Sequence, residues 1–333
     1  MTSEKVEDIF SRLLTAMWLR PERALYDAHI LSKVSKLITP YLESNSLEFG
    51  CLDGVPTFAM LGGVFSDGFD DYFGMTRADN VSASIEKIDT SQVQASPNDY
   101  FETFLESTAL PIIATPAKSS FNFGVSHKLS HINRSERLGI YGKLWAQGLS
   151  EPLPLDDGSL GLIYAPMLFW VPERDLPSTI RELCRCSRVD GRLITTFPKE
   201  DYADHLLLSR VPNATTDWKR AIDGGSSERL CANNLGRDDL QMLFRDCGYV
   251  TEVIEEAIPI RVAQVYEIGF RAMFPVFLKM RSQLIQLKGD SLLEIKKHWI
   301  STVKDFLDPL CRESNLDERG RARTWHVLSL KKI

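Results

Sequence analysis

The stretch SLEFGCLDG, residues 46–54, decides the fold, because a short apolar strand runs directly into a turn with two glycines. The pattern predicts a strand over residues 46–49 and a helix soon after Gly54. Glycine lets the backbone approach a ligand closely, and the first turn of a helix offers free amides to it. The stretch therefore predicts a ligand-binding loop at the edge of an α/β sheet.

Outward from this stretch, the chain alternates between strand-like and helix-like segments. This alternation predicts βαβ units and a mostly parallel sheet. Apolar periodicity at helical spacing also predicts two helices ahead of the first strand. The predicted later strands are 72–76, 143–146, 160–165, 193–197, 249–254 and 324–330.

These segments predict four parts of the chain. Residues 1–44 form an N-terminal helical cap, and residues 45–255 form a Rossmann-like core. A long insertion at about 77–135, rich in Ser, Asn, Thr and Pro, is expected over the site. Residues 256–320 form a helical insertion, and residues 321–333 return as the final strand of the core sheet.

Composition narrows the classes of function. The chain has 333 residues, a formal net charge of -6 and 44% hydrophobic residues, which is ordinary for a globular protein. The mild acidity disfavours a nucleic-acid binder, so no nucleic-acid partner is expected. The six cysteines form no CxxC pair and no zinc spacing, so no metal is expected. No apolar run approaches a membrane span and the N-terminus is not a signal peptide, so we expect a cytoplasmic protein.

Two common nucleotide motifs are absent from the decisive stretch. Gly50 and Gly54 are four residues apart and no third glycine completes GxGxxG, which disfavours NAD. A Walker A loop, GxxxxGK(S/T), is also absent.

Three pieces of the chain, in order, resemble class I S-adenosylmethionine-dependent methyltransferases of the type 11-like kind. Glu48, Gly50 and Gly54 match an acidic residue followed by xGxGxG, with Leu52 replacing the middle glycine. Residues 151–197 resemble the turn, fourth strand, helix and R-V-x-P-G-G-R-L turn of the family. Residues 238–249 resemble its helix that ends in Gly and an aromatic residue before the sixth strand.

The resemblance implies a Rossmann-like class I methyltransferase sheet, mostly parallel with the last strand antiparallel, and helices on both faces. It implies S-adenosyl-L-methionine as the cofactor. Glu48 would lie under the methionine end, and residues near the end of the second strand would meet the ribose. The implied cofactor-binding residues are Glu48, Gly50, Cys51, Gly54, Thr76, Gly148, Leu149, Ala165 and Phe169.

The acceptor side of the site is expected to be apolar and aromatic. The segment APMLFW, residues 165–170, is not the D/N/S-P-P-aromatic signature of enzymes that methylate base nitrogens. An apolar wall suits a small organic or lipid-like acceptor. His127, His131 and His205 are the candidate bases, with solvated surface histidines as the alternative.

We therefore expect a methyltransferase of small-molecule biosynthesis. Two other classes stay open. Leu52 and the uncharged residues expected at the ribose and adenine positions favour a non-catalytic scaffold or regulatory protein with a degenerate cofactor site. An RNA or protein methyltransferase is the third possibility, which a basic stripe beside the cleft would favour.

Overall fold

The computed structural model describes residues 5–70, 110–213, 215–216, 218–219, 230, 235–269, 274–285, 291–316 and 323–333. The described helices are α1 Val6–Ala16, α2 Pro21–Ile38, α3 Val55–Met60, α4 Leu129–Glu136, α5 Leu176–Cys186, α6 Arg237–Asp246, α7 Ile260–Ile268, α8 Phe274–Ile285 and α9 Ser291–Leu316. Short 3-10 helices span Thr39–Tyr41, Leu168–Trp170, Tyr202–His205 and Leu208–Arg210. The described strands are β1 Ser46–Phe49, β2 Val64–Phe65, β3 Ile113–Thr115, β4 Phe121–Ser126, β5 Tyr141–Ala146, β6 Leu160–Ala165, β7 Ser187–Pro198, β8 Tyr249–Pro259 and β9 Arg323–Lys332.

The main sheet has seven strands in the order β5-β4-β1-β6-β7-β9-β8. Strands β5, β4, β1, β6 and β7 pair in parallel. Strand β9 is antiparallel to β7 and to β8. This arrangement confirms the predicted fold class, a mostly parallel Rossmann-like sheet with an antiparallel last strand, flanked by helices.

The central strands have the sequences that a buried parallel sheet requires. All four residues of β1 and all six of β6 are buried. A strand covered on both faces loses the alternation of polar and apolar residues, which is why β6 is a continuous apolar run, whereas β1 buries Ser46 and Glu48 beside Leu47 and Phe49. Both strands have the bounds that the sequence predicts.

The helices α1 and α2 pack on each other and against the core. Phe10 and Leu13 of α1 and Leu25 of α2 are almost completely buried. Helix α2 begins with Pro21, whose fixed φ and missing N–H suit the first helical position. Among the described residues, no helix combines the length and apolarity needed to cross a membrane.

Strand β4 lies within the range of about 77–135 that the sequence analysis assigned to a long insertion. It pairs with β1, Leu47 against Phe123, so the second core strand lies inside the range expected to be an insertion at about 77–135. The predicted second strand at 72–76 lies outside the described residues.

Strand β4 is difficult to predict from the sequence because Asn122 and Gly124 are residue types typical of loops. The side-chain oxygen of Asn122 accepts hydrogen bonds from the Ser46 amide (2.9 Å) and the Ser46 hydroxyl (3.1 Å). Gly124 is needed for close packing, since a Cβ there would lie 2.6 Å from Leu144. Asn122 and Gly124, which are residue types typical of loops, therefore allow β4 to pack against β1 and β5.

We predict that Asn122→Ala lowers the free energy of unfolding by about 1–2 kcal/mol, because the buried amide of Ser46 loses its acceptor. The matched variant Asn122→Asp keeps an oxygen at this position and should lose less. Urea unfolding of both variants measures the effect. Equal stability of the alanine variant and the wild type would contradict this role of Asn122.

Candidate functional site

A cavity of about 290 Å³ lies at the carboxyl ends of β1 and β6. Its walls include the loop after β1, the loop after β6 and the inner face of α2. The strand order reverses between β1 and β6, since β4 follows on one side of β1 and β6 lies on the other. Ligands of open α/β sheets bind in the crevice at such a switch point. The fold therefore places the cavity where a ligand is expected.

The loop after β1 adopts the left-handed backbone conformation that its glycines allow. Gly50 has φ +84°, and a Cβ there would lie 2.9 Å from the Cβ of Met167. Leu52, which replaces the middle glycine of the motif, also has positive φ (50°). A side chain at positive φ is uncommon, so Leu52 is held in this conformation by its surroundings. The hydroxyl of Ser135 donates to its carbonyl oxygen (3.2 Å).

The sequence predicts free backbone amides in this loop, but several of them already donate hydrogen bonds within the chain. The amides of Gly50 and Cys51 both donate to the Val125 carbonyl oxygen at 2.9 Å. The Gly54 amide donates to the Cys51 carbonyl (3.0 Å), and the Val55 amide donates to Asp53 (3.2 Å). These four amides have acceptors within the chain, so recognition of a ligand at this loop depends on other groups.

Glu48 is a buried carboxylate in the cavity wall. It is 1% exposed and accepts hydrogen bonds from the hydroxyls of Thr57 (2.6 Å) and Tyr141 (2.7 Å). Both donors are neutral. Burial raises the pKa of Glu48 to about 7, and the two hydrogen bonds only partly oppose this shift. Near neutral pH the carboxyl group is therefore partly protonated, and a cation beside it would favour its ionised form.

Helix α2 contributes an ion pair to the wall of the cavity that it forms. Arg23 Nε lies 3.6 Å from Asp27 Oδ2, and both residues line the cavity. Burial raises the pKa of Asp27, and Arg23 opposes this shift. Sequence alone favours an ordinary salt bridge near the start of the helix for Arg23 over a clamp on an anionic acceptor, and it gives Asp27 no role.

Aromatic side chains from distant parts of the chain complete the walls. Tyr26 of α2 stacks on Tyr266 of α7 with ring centroids 4.2 Å apart. Trp325 of β9 contacts Phe169 edge-on at 5.0 Å. All four residues line the cavity. Together with Glu48 they form a site that is aromatic and acidic.

The predicted cofactor-binding residues fall into two groups. Glu48, Gly50, Cys51 and Phe169 line the cavity. Gly54, Gly148, Leu149 and Ala165 are not among its lining residues. Thr76 lies outside the described residues. Contact of any of these residues with a cofactor stays a prediction.

The four residues outside the cavity have other structural surroundings. Gly54 precedes α3 with φ +73°. The carbonyl oxygen of Ala165 accepts from the Thr195 hydroxyl (2.7 Å), and that of Leu149 accepts from the Thr179 hydroxyl (3.5 Å). A Cβ on Gly148 would lie 2.9 Å from a Glu151 carboxylate oxygen.

The three candidate bases do not line the cavity. His131 is buried, and its Nδ1 lies 3.0 Å from the Ser126 hydroxyl. His127 is exposed, with its ring 5.5 Å from that of His131. His205 Nε2 lies 3.1 Å from Asp201 Oδ2. Catalysis by these histidines stays a prediction. In the described ranges, no cluster of three or more His, Cys, Asp or Glu side chains could hold a metal.

No protein-family model matches the chain, and no curated protein matches it. Solved structures with a similar fold include a geranyl diphosphate C-methyltransferase from Streptomyces coelicolor A3(2), with 13% identity and a TM-score of 0.40, covering 95% of this chain and 84% of that one. A geranyl diphosphate methyltransferase in complex with SAM has 10% identity and a TM-score of 0.42, covering 95% and 90%. The 4+2 cyclase SpnF has 11% identity and a TM-score of 0.43, covering 94% and 80%.

At such identities the likeness is one of fold alone. The fold assignment rests on the strand order and strand directions of this chain. Its class is the Rossmann-like fold of class I methyltransferases.

We predict that Glu48 makes the stability of the protein fall as pH rises. The unfolded carboxyl ionises near its ordinary pKa of 4.5, whereas the folded one keeps its proton up to about 7. Between these values the unfolded state binds fewer protons, so the free energy of unfolding should fall by about 3 kcal/mol.

Glu48→Gln should remove this decline, and the exposed Glu43→Gln variant should keep it. Urea unfolding between pH 4.5 and 7.5 measures both. A wild-type profile that matches that of Glu48→Gln would show that Glu48 is ionised throughout.

Proposed function

We propose that this chain is an S-adenosylmethionine-dependent methyltransferase that acts on a small organic or lipid-like acceptor. The observation that carries the proposal is the cavity at the β1–β6 switch, with a buried carboxylate in its wall and aromatic rings around it. A sulfonium is a cation, and aromatic faces and a carboxylate both attract cations. Glu48 and the aromatic walls therefore fit the methyl-donor end of this cofactor.

The ion pair on α2 fits the amino-acid end of the same cofactor. Arg23 and Asp27 present one positive and one negative charge to the cavity. A zwitterionic amino acid carries the complementary charges, and guanidinium recognises carboxylate well. In this proposal the 1–44 segment acts as a cap, because α2 covers the loop after β1.

The nucleoside end would lie toward the carboxyl end of β4. The resemblance assigned the ribose contact to the end of the second core strand, and β4 is the described strand beside β1 on that side. Ser126 ends β4 and is buried against His131, and His127 follows it. We therefore propose Ser126 and His127 for the place that the sequence analysis gave to Thr76.

The residues of the cavity would orient the acceptor and exclude water during methyl transfer. When bound, S-adenosylmethionine supplies the methyl group, and the reaction is an in-line displacement that depends on alignment. An acceptor O–H or N–H must also lose a proton.

A non-catalytic scaffold is the second candidate function. It is favoured by the loop after β1, where Leu52 replaces a glycine and four amides already have acceptors. Titration calorimetry separates the two functions. Absence of binding for both S-adenosylmethionine and S-adenosylhomocysteine at millimolar concentration would favour the scaffold.

We predict that S-adenosylmethionine binds roughly tenfold more tightly at pH 8 than at pH 6, because Glu48 ionises near pH 7 and then attracts the sulfonium. S-adenosylhomocysteine has the same amino-acid end without the sulfonium charge and should show a smaller dependence on pH. Glu48→Gln should remove the difference between the two ligands. Equal pH dependence of the two ligands in the wild type would exclude this role of Glu48.

A further inference from the structure

Tyr164 presents a hydroxyl group to the cavity that no other part of the site uses. The residue lies on β6, lines the cavity and is 2% exposed. Its hydroxyl forms no hydrogen bond with any residue that the structure describes. The oxygen stays accessible to a small molecule, unlike the indole nitrogen of Trp325, which is sealed off. A buried hydroxyl that keeps its hydrogen-bonding capacity is available to a ligand.

Neighbouring hydroxyls in the cavity wall have partners within the chain. The Thr57 hydroxyl donates to Glu48 (2.6 Å), and the Tyr26 hydroxyl donates to that of Tyr202 (3.4 Å). Removing either hydroxyl would break a hydrogen bond of the folded protein. Removing the hydroxyl of Tyr164 would break none, so its effect on ligand binding can be measured without that complication.

Tyr164 also lies at the proposed reaction centre. It pairs with Glu48 across the neighbouring parallel strands β1 and β6, and both residues line the cavity. The proposed function brings the sulfonium next to Glu48. A ligand atom held by the Tyr164 hydroxyl would therefore lie beside the methyl group that is transferred.

The surroundings of this hydroxyl oppose a negative charge on a ligand. Burial raises the pKa of Tyr164 well above its ordinary value, and the nearby Glu48 and Asp27 raise it further. Arg23, a cation in the cavity wall, is paired with Asp27. Tyr164 is itself a phenol, so the same surroundings would keep the proton on a phenol or carboxylic acid bound beside it.

This electrostatic environment favours a nitrogen nucleophile over an oxygen nucleophile. An acidic oxygen must lose its proton in order to attack, and none of the described residues that line the cavity is a histidine that could take it. An uncharged amine needs no base before the attack. Its lone pair forms the N–C bond while the C–S bond breaks and leaves its electron pair on sulfur, and the methylammonium product then releases an N–H proton to water.

The aromatic rings of the cavity favour a flat ligand. Tyr26 and Tyr266 stack with ring centroids 4.2 Å apart, and Phe169 meets Trp325 edge-on at 5.0 Å. Rings gain most from stacked or edge-on contact with another flat ring. An amine attached to an aromatic ring is weakly basic and therefore uncharged at neutral pH.

We propose that the methyl acceptor is an uncharged aromatic amine whose N–H donates a hydrogen bond to the hydroxyl oxygen of Tyr164. This hydrogen bond leaves the nitrogen lone pair free to face the methyl group. Tyr164 is then a residue that determines specificity. The inference rests on the proposed function for the transfer step, whereas the binding that it describes does not need the cofactor.

The first experiment measures how Tyr164→Phe changes the binding of aniline and of toluene, which has a similar shape and no N–H. Dissociation constants come from ligand-observed NMR titration, with and without S-adenosylhomocysteine. The variant should bind aniline about fivefold more weakly, the effect of one net hydrogen bond, and toluene should change by less than about twofold. Comparing the two changes cancels the different hydration of the two ligands. An equal change for both ligands in the folded variant would overturn the inference.

The control variant removes a tyrosine hydroxyl outside the cavity. Tyr41 does not line the cavity, and its hydroxyl accepts from Arg192 Nε (3.2 Å). Tyr41→Phe should bind aniline as tightly as the wild type does. A loss as large as that in Tyr164→Phe would overturn the assignment to Tyr164.

A second measurement needs no variant. Para-nitrophenol ionises near neutral pH, and only its anion absorbs visible light strongly. An excess of the wild-type protein should lower this absorbance, because the bound molecule keeps its proton. Unchanged or stronger absorbance would overturn the preference for an uncharged ligand.

The two proposals fail separately in this design. If S-adenosylhomocysteine does not bind but Tyr164→Phe weakens aniline alone, the proposed methyl transfer fails and the amine site survives. If S-adenosylhomocysteine binds and the variant changes both ligands equally, the methyltransferase proposal survives and the inference fails. With S-adenosylmethionine and equal amounts of aniline and phenol, mass spectrometry should detect N-methylaniline as the main product; anisole as the main product would overturn the preference for nitrogen.

Discussion

The parallel pairing of β1 between β4 and β6 is the constraint on which the rest of the structure depends. Leu47 pairs with Phe123 on one side and with Ile163 on the other. The chain segments that follow β1 and β6 leave the sheet toward opposite sides. Neither segment covers the space between the carboxyl ends of these two strands, so a crevice remains there. Glu48, at the third position of β1, reaches this crevice because of its place in the sheet.

The local pattern of residues made part of this arrangement predictable. Strand β6 could be placed because buried parallel strands have continuous apolar runs, and β1 because it leads directly into a turn in which Gly50 has positive φ. Strand β4 could not be placed from the sequence. Its loop-like residues Asn122 and Gly124 are explained only by contacts with distant residues: Asn122 accepts a hydrogen bond from Ser46, and Gly124 packs against Leu144.

The walls of the cavity were hidden for a different reason. Tyr26 and Trp325 lie near opposite ends of the chain and meet only because α2 covers the sheet next to β9. Within its own segment each residue has the pattern of ordinary core: Tyr26 follows the helical stripe of α2, and Trp325 lies within the buried run of β9. No local period distinguishes a side chain that lines a cavity from one that fills a core.

The buried carboxyl group bears on the choice between an enzyme and a scaffold. Glu48 is held by two neutral hydroxyls, and ionising it in the folded protein is unfavourable by about 3 kcal/mol relative to water. A protein that only presents its surface to a partner gains nothing from this arrangement, and Gln would satisfy the same hydroxyls without the penalty. A site that must attract a cation at neutral pH does gain, because ionisation then coincides with binding. Perturbed acids of this kind concentrate at functional sites, and Glu48 lies in a cavity at the switch point of the sheet.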